Sequence, residues 1–303
     1  MMKFFCQAIA VIILLLQAPP SFAEEHAIVY GEGRKIAELA NRAIDESSGL
    51  ACGRANKDVL WTHNDSGGLP QLFAFGLHGE ERAVVTLLKA QNIDWEDMAS
   101  FSHEGHHFLL VADVGDNRAK RKDYTLYVVP EPELDAGKRS VPLSVAPLQT
   151  IHFRYEDGSH NCESVAIDPQ TRTIYLVSKV YGDSCTVYAL PWPERESPTL
   201  LVARAIATLD ITAATAMDIS PDGLRAIVLT YGDAFEFVRG PEETWAQGFS
   251  RSPRPIEMPE RSQGESVCYG PDGKTIYLTS EGNASPLLEV PVIKTPQGSL
   301  PTR

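Results

Sequence analysis

Five oxygen-bearing residues recur along this 303-residue chain in one local phrase: Glu46, Glu96, Glu163, Thr215 and Glu265, at intervals of 50, 67, 52 and 50 residues. The phrases read Glu46-Ser-Ser-Gly-Leu-Ala, Glu96-Asp-Met-Ala, Glu163-Ser-Val-Ala-Ile-Asp-Pro, Thr215-Ala-Met-Asp-Ile-Ser-Pro and Glu265-Ser-Val-Cys-Tyr-Gly-Pro. Brought to one place, four carboxylates and a hydroxyl repel one another unless protons or a cation compensate them. The set contains no His or Cys, so its chemistry points to a hard cation, with Ca²⁺ the first candidate. The alternative is that each accepts backbone N–H bonds and no metal is held.

A second set lies 16 to 18 positions after the first: Asn64, Asp113, Lys179, Tyr231 and Glu281. Turn-rich segments follow at once, Asp65-Ser-Gly-Gly, Val114-Gly-Asp116-Asn117, Tyr181-Gly-Asp, Gly232-Asp233 and Gly282-Asn283. Each by itself reads as an ordinary turn. In register at one rim, they make a polar mouth with the mixed chemistry of a site. Asp113, Glu281, Lys179 and Asn64 are the catalytic candidates, and Asp65, Asp116, Asn117, Arg118 and Tyr231 the substrate contacts. The run Arg118-Ala-Lys-Arg-Lys122 would draw an anion toward that mouth.

Elements must place these residues in register, and the repeat supplies them. Each phrase is followed by a turn and a β-type run, such as Val59-Leu-Trp-Thr-His or Thr173-Ile-Tyr-Leu-Val-Ser, and most units add a third run such as Thr125-Leu-Tyr-Val-Val. A period near 50 with little helical periodicity predicts an all-β fold, a β-propeller of five four-stranded blades. A sixth blade hidden in the 67-residue interval is the alternative. First strands line a propeller's axis, so the five lead residues form an axial ring. The last unit runs out of chain after three strands, so His26 to Ile36 is expected to close the circle. Glu131 to Leu148, rich in Pro and charge, reads as a surface loop.

The chain is 43% hydrophobic and carries a formal charge of −13, which excludes a disordered chain and argues against nucleic acid or an anionic membrane as partner. Residues 1–23 read as a signal peptide, with an apolar run from Phe4 to Leu16 and a cut after Ala23. Residues 24–303 then form a single propeller domain, periplasmic or secreted, monomeric and without a membrane span. The remaining cysteines are Cys52, Cys162, Cys185 and Cys268, with no CxxC spacing for zinc. Four cysteines allow three pairings, of which Cys162 to Cys185 is favoured; Cys52 and Cys268 are expected as buried thiols.

Trp61-Thr-His-Asn-Asp-Ser-Gly-Gly68, Asp94-Trp-Glu-Asp-Met-Ala99, Ala112-Asp-Val-Gly-Asp-Asn117, Met217-Asp-Ile-Ser-Pro-Asp-Gly223 and Gln263-Gly-Glu-Ser-Val267 resemble a family of secreted bacterial β-propellers. The chain is similar to proteins labelled esterase-like activity of phytase and, more distantly, to calcium-dependent propeller hydrolases. The resemblance spans about residues 44 to 292 and implies a central calcium on Glu46, Glu96, Glu163, Thr215 and Glu265. The dense phosphate-binding set of a propeller phytase is absent, since Lys179 is the sole basic residue of the second set. The expected function is hydrolysis of a small anionic ester or phosphoester, with Lys179 and Arg118 binding negative charge and Asp113 or Glu281 as base. The alternative is a non-catalytic module with structural calcium that recognises an envelope or extracellular ligand.

Overall fold

The innermost strands are enclosed on both faces, the outer ones on one, and burial along the chain records the difference. Ser47–Cys52 (β3), Cys162–Asp168 (β12) and Ala214–Ile219 (β16) are buried at every position. Gln149–Tyr155 (β11) instead alternates buried with partly or fully exposed residues. The computed structural model describes residues 28–135, 142–195 and 199–294. The expected signal peptide lies outside the described residues. Among those residues no helix is long and apolar enough to cross a membrane.

The strands form antiparallel meanders. The first joins β3 to Val59–Asn64 (β4), Gln71–Gly76 (β5) and Glu81–Leu87 (β6). The second runs through Trp95–His103 (β7), His106–Asp113 (β8), Tyr124–Pro130 (β9) and β11. The third runs from β12 through Thr173–Ser178 (β13) and Cys185–Pro191 (β14) to Leu201–Leu209 (β15). The fourth joins β16 to Arg225–Thr230 (β17), Ala234–Val238 (β18) and Arg254–Ile256 (β19), with the short helix Trp245–Phe249 (α1) inserted. The last comprises Ser266–Tyr269 (β20), Ile276–Thr279 (β21) and Pro286–Val290 (β22), and Arg34–Glu38 (β2) pairs onto β22. Val29–Tyr30 (β1) pairs with Val292–Lys294 (β23).

Strands β3, β7, β12, β16 and β20 pack on one another in cyclic order, β20 returning to β3. The core is divided accordingly. Leu50 and Cys52 cluster with Cys268 and Leu287, Trp61 with Leu109 and Val111, and Tyr155 with Tyr188 and Leu190. This is a β-propeller, all-β with one short helix among the described residues. Buried Asp97 fastens its centre, accepting N–H bonds from Met98 (2.8 Å), Val165 (2.8 Å) and Met217 (3.0 Å) on three inner strands.

Two expectations change. Glu131 to Leu148 is not all surface loop: Pro142–Val145 (β10) pairs in parallel with β6, and the Glu131 carboxylate is buried, holding the N–H groups of Arg54 and Ala55. The Cys162–Cys185 bridge is not formed, and the four described cysteines are buried free thiols. Strand β13 lies between the two. Two strand spacings make about 9.6 Å, beyond the roughly 7 Å that a disulfide spans between α-carbons.

Candidate functional site

The inner strands share one irregularity at their mouth-facing ends. The register of β3, β7, β12 and β16 with their neighbours slips by a residue at Gly49, Glu96, Glu163 and Thr215. Such a bulge turns the extra residue out of the ladder. Glu265 stands just before β20, and its carbonyl accepts from Gly49 N–H at 3.3 Å. At this level the first meander therefore presents Gly49, not Glu46. Gly49 has φ 72°, and an added Cβ would lie 2.7 Å from His63 Nε2, so no side chain fits there. Glu46 is exposed, three residues outside the ring.

The other ring members are engaged by protein groups. Thr215 Oγ1 donates to Gly264 O at 2.7 Å. Glu163 is ion-paired with buried Lys179, whose Nζ also donates to Tyr231 Oη at 2.6 Å. Tyr231 Oη donates to Glu265 Oε1 at 3.0 Å, as does Gln263 Nε2 at 2.7 Å. This chain crosses three meanders. Burial pushes Glu265 up, but hydrogen bonds with Glu281 and Gln263, the Lys179 charge and the Tyr231 bond outweigh it and hold the group below the usual carboxylate range. Its partner Glu281 is pushed up to about 8, first by that hydrogen bond and then by burial. Glu281 thus keeps a proton at neutral pH that Glu265 accepts.

Beside this chain lies a different cluster. Asp65, Asp94 and Glu96 each place a carboxylate oxygen within 4.8 Å of the others. Asp65 directly follows β4, Asp94 directly precedes β7, and Glu96 is the β7 bulge. Asn92 ties the two turns together, Nδ2 donating to Asp65 O at 2.5 Å and Asn64 O at 3.2 Å, while Oδ1 accepts from Trp95 N–H at 3.2 Å. Gly115 gives the carboxylates room: its added Cβ would lie 2.1 Å from Glu96 Oε1 and 2.5 Å from Asp94 Cγ.

The trio is short of positive charge. Burial, then the charges of Asp94 and Glu265, push Asp65 up to about 7, and Asp65 Oδ1 is buried without a hydrogen bond from the described residues. Burial raises Asp94 despite the nearby Arg121 charge, and raises Glu96 strongly, aided by Glu163, Asp65 and Asp94. Three oxygen ligands, an orphaned acceptor and a cradle that only glycine leaves open fit a hard divalent cation. The original ring does not fit one as well, because Lys179 already answers Glu163 and Glu46 stands apart.

The second expected ring is brought together in part. Lys179, Tyr231 and Glu281 stand at one level and meet through Glu265. Asp113 does not join them. It pairs with Trp95 where Ser178 pairs with Cys162 and Thr230 with Ala214, one residue out of phase, so Val114 takes the Lys179 level. Its buried carboxylate is held by Arg121 Nη1 at 2.7 Å and Ile93 N–H at 3.1 Å. Asn64 turns outward, Nδ2 donating to Ala43 O at 2.7 Å and Asp45 Oδ1 at 3.0 Å.

Asp116 anchors the basic loop, accepting from Arg121 N–H at 2.7 Å and Tyr124 Oη at 3.1 Å, while exposed Asn117 accepts from Asn161 at 3.2 Å. Arg118 is exposed on that loop. Asp94, Gln263 and Gly115 are site residues that the spacing argument passed over. Asp94 stands two positions before Glu96, which was the available signal.

No protein-family model matches the sequence, the phytase-related family suggested by its motifs included, and no curated protein matches it. Among solved structures, the chain is similar to a gluconolactonase of Xanthomonas campestris, described as important in glucose secondary metabolic pathways. Identity is 14% over 86% of this chain and 89% of that one, with a TM-score of 0.46. It is also similar to a chain of a nidogen/laminin complex, at 13% identity over 78% of this chain and 73% of that one, with a TM-score of 0.43. Neither likeness assigns a chemistry to this chain.

Proposed function

We propose that this protein is an exported, monomeric, five-bladed β-propeller, closed by β2, that hydrolyses small anionic esters or phosphoesters with calcium held at its mouth by Asp65, Asp94 and Glu96. The observation that carries the reading is the carboxylate trio, short of positive charge, beside a separate, proton-bearing Glu281–Glu265 pair. The cyclic packing of five inner strands supports the blade count, and the β2–β22 pairing supports the closure. Export rests on the signal-like residues 1–23, and the burial of every described thiol is compatible with an oxidising compartment.

Bound calcium would polarise a substrate oxygen as a Lewis acid. The chain's own residues do the rest. Glu281 holds a proton for the departing oxygen, and Glu265 accepts the hydrogen bond that keeps it there. Lys179 and Tyr231 hold Glu265 in place and neutralise part of its charge. Lys179 is therefore committed to Glu163 and Tyr231, and attraction of the anion falls to Arg118 and its exposed neighbours Lys120 and Lys122.

Calcium calorimetry on wild type, Asp65→Asn and Glu96→Gln, followed by a panel of nitrophenyl esters and phosphates, tests the reading. Binding that both variants lose, with turnover that needs calcium, is expected. Calcium bound without turnover on any substrate would favour a binding module with structural calcium. No binding at millimolar calcium would remove the metal altogether.

A further inference from the structure

The polar mouth is bordered by large apolar side chains that the proposed hydrolysis has not used. Leu69 is 73% exposed, Ile93 55% and Tyr181 68%. A lone exposed Leu is ordinary on a protein surface. These three differ in where they stand and how they are held. Ile93 directly precedes Asp94, and Leu69 lies four residues after Asp65, so both are carried by the turns that supply two members of the carboxylate trio. Tyr181 stands across the mouth, its ring 5.7 Å from Lys179 Nζ.

The backbones that carry Leu69 and Ile93 are fixed. Ile93 N–H donates to Asp113 Oδ2 at 3.1 Å, Leu69 O accepts from Gln71 N–H at 2.7 Å, and Pro70 O accepts from Leu87 N–H at 2.8 Å. Asn92 joins the two loops through Asn64 O and Asp65 O. Two apolar side chains are thus held in water on two braced, adjoining loops, the same loops that carry Asp65 and Asp94. Their exposure costs free energy that an apolar ligand would recover.

We propose that the substrates of this mouth are amphiphilic carboxylic esters whose apolar acyl chain lies on Leu69 and Ile93 while the ester group sits over the carboxylate trio. The proposal rests on the hydrolase reading above and narrows its substrates from small esters and phosphoesters to carboxylic esters with an apolar acyl chain, leaving any anionic group to the alcohol side. Water adds to the acyl carbon, the bond from that carbon to the alkoxide oxygen breaks, and the alkoxide takes a proton and leaves as the alcohol beside a free fatty acid.

The test uses 4-nitrophenyl esters from acetate to decanoate, with calcium present, on wild type and Leu69→Ser/Ile93→Ser. Because both residues are exposed, the substitutions leave the core intact. For wild type, kcat/KM is expected to rise about tenfold or more from acetate to decanoate. The double variant is expected to lose most of that rise while keeping acetate turnover within about twofold. A flat chain-length profile, or equal losses on both esters, would overturn the apolar site and leave the hydrolase reading standing. Calorimetry with N-methyldecanamide, which keeps the decanoyl chain and is not an ester, separates the remaining case. Binding that the double variant loses, without turnover of any ester, would keep the apolar site and sink the hydrolysis; no binding and no turnover would sink both.

Discussion

Gly115, two residues past the end of β8, and Glu96 of the neighbouring strand β7 approach so closely that a methyl group on Gly115 would lie 2.1 Å from Glu96 Oε1. The same methyl would stand 2.5 Å from Asp94 Cγ. Gly115→Ala must therefore push both carboxylates off their positions. Calcium affinity is expected to fall at least about tenfold, with a stability loss of about 1–3 kcal/mol from overpacking. Calorimetry and urea denaturation measure the two effects separately, and an unchanged affinity would show that this cradle does not hold the ion.

Lys179 is the countercharge of the mouth, and removing it should expose the cost of what it compensates. Lys179→Met leaves the buried Glu163 carboxylate without its partner, a change expected to cost about 3–5 kcal/mol. Glu163→Gln/Lys179→Met removes both charges and should recover a substantial part of that loss. Denaturant midpoints of the two variants and wild type decide the matter. Equal destabilisation by the single and double variants would mean that packing of the lysine stem, not charge, is at stake.

The carboxyls at the mouth give stability a defined pH dependence. Asp65 is pushed up to about 7 and Glu281 to about 8. In the unfolded chain both lose their protons in the ordinary carboxyl range, so between there and pH 8 the native state binds more protons and stability falls as pH rises. Buried His63 acts oppositely. Burial pushes it down to about 4, so its contribution grows as pH rises from there and is complete above its ordinary value near 6.5. Between pH 6.5 and 8 the carboxyl effect remains, and thermal melts of calcium-free protein should show a falling Tm. Calcium should raise Tm more at pH 8 than at pH 6, because protons compete for Asp65 at the lower pH. A Tm that climbs across this window without metal would contradict these assignments.

Thiol chemistry gives a simple check of the strand order. Cys52, Cys162, Cys185 and Cys268 should be unreactive toward a thiol reagent in the native protein and all react in denaturant. A reductant should leave Tm unchanged. A bridged Cys162–Cys185 pair detected by mass after alkylation would require β13 to lie elsewhere than between β12 and β14.

Much of this architecture is legible in the chain. The recurring phrase placed Glu96, Glu163, Thr215 and Glu265 at the heads of inner strands, because strand and turn preferences are local and repeat with the sequence. The same spacing led to Glu46, which stands three residues outside the ring, and to Asp113, which is one residue out of phase because the β7–β8 hairpin is longer than its counterparts. Register is fixed by strand pairing and hairpin length, and a strand's side chains alternate faces, so equal residue spacing does not guarantee equal level.

The sequence by itself therefore determined the all-β character, the repeating unit and the concentration of acid at one rim, all of which follow from local periodicity and composition. Only the tertiary structure decided which acids meet. Asp65 and Asp94 come from turns of adjacent meanders, Lys179 reaches Tyr231 from one meander to the next, and Cys162 is kept from Cys185 by the strand between them. Those pairings depend on distances across the ring, which residue spacing does not encode.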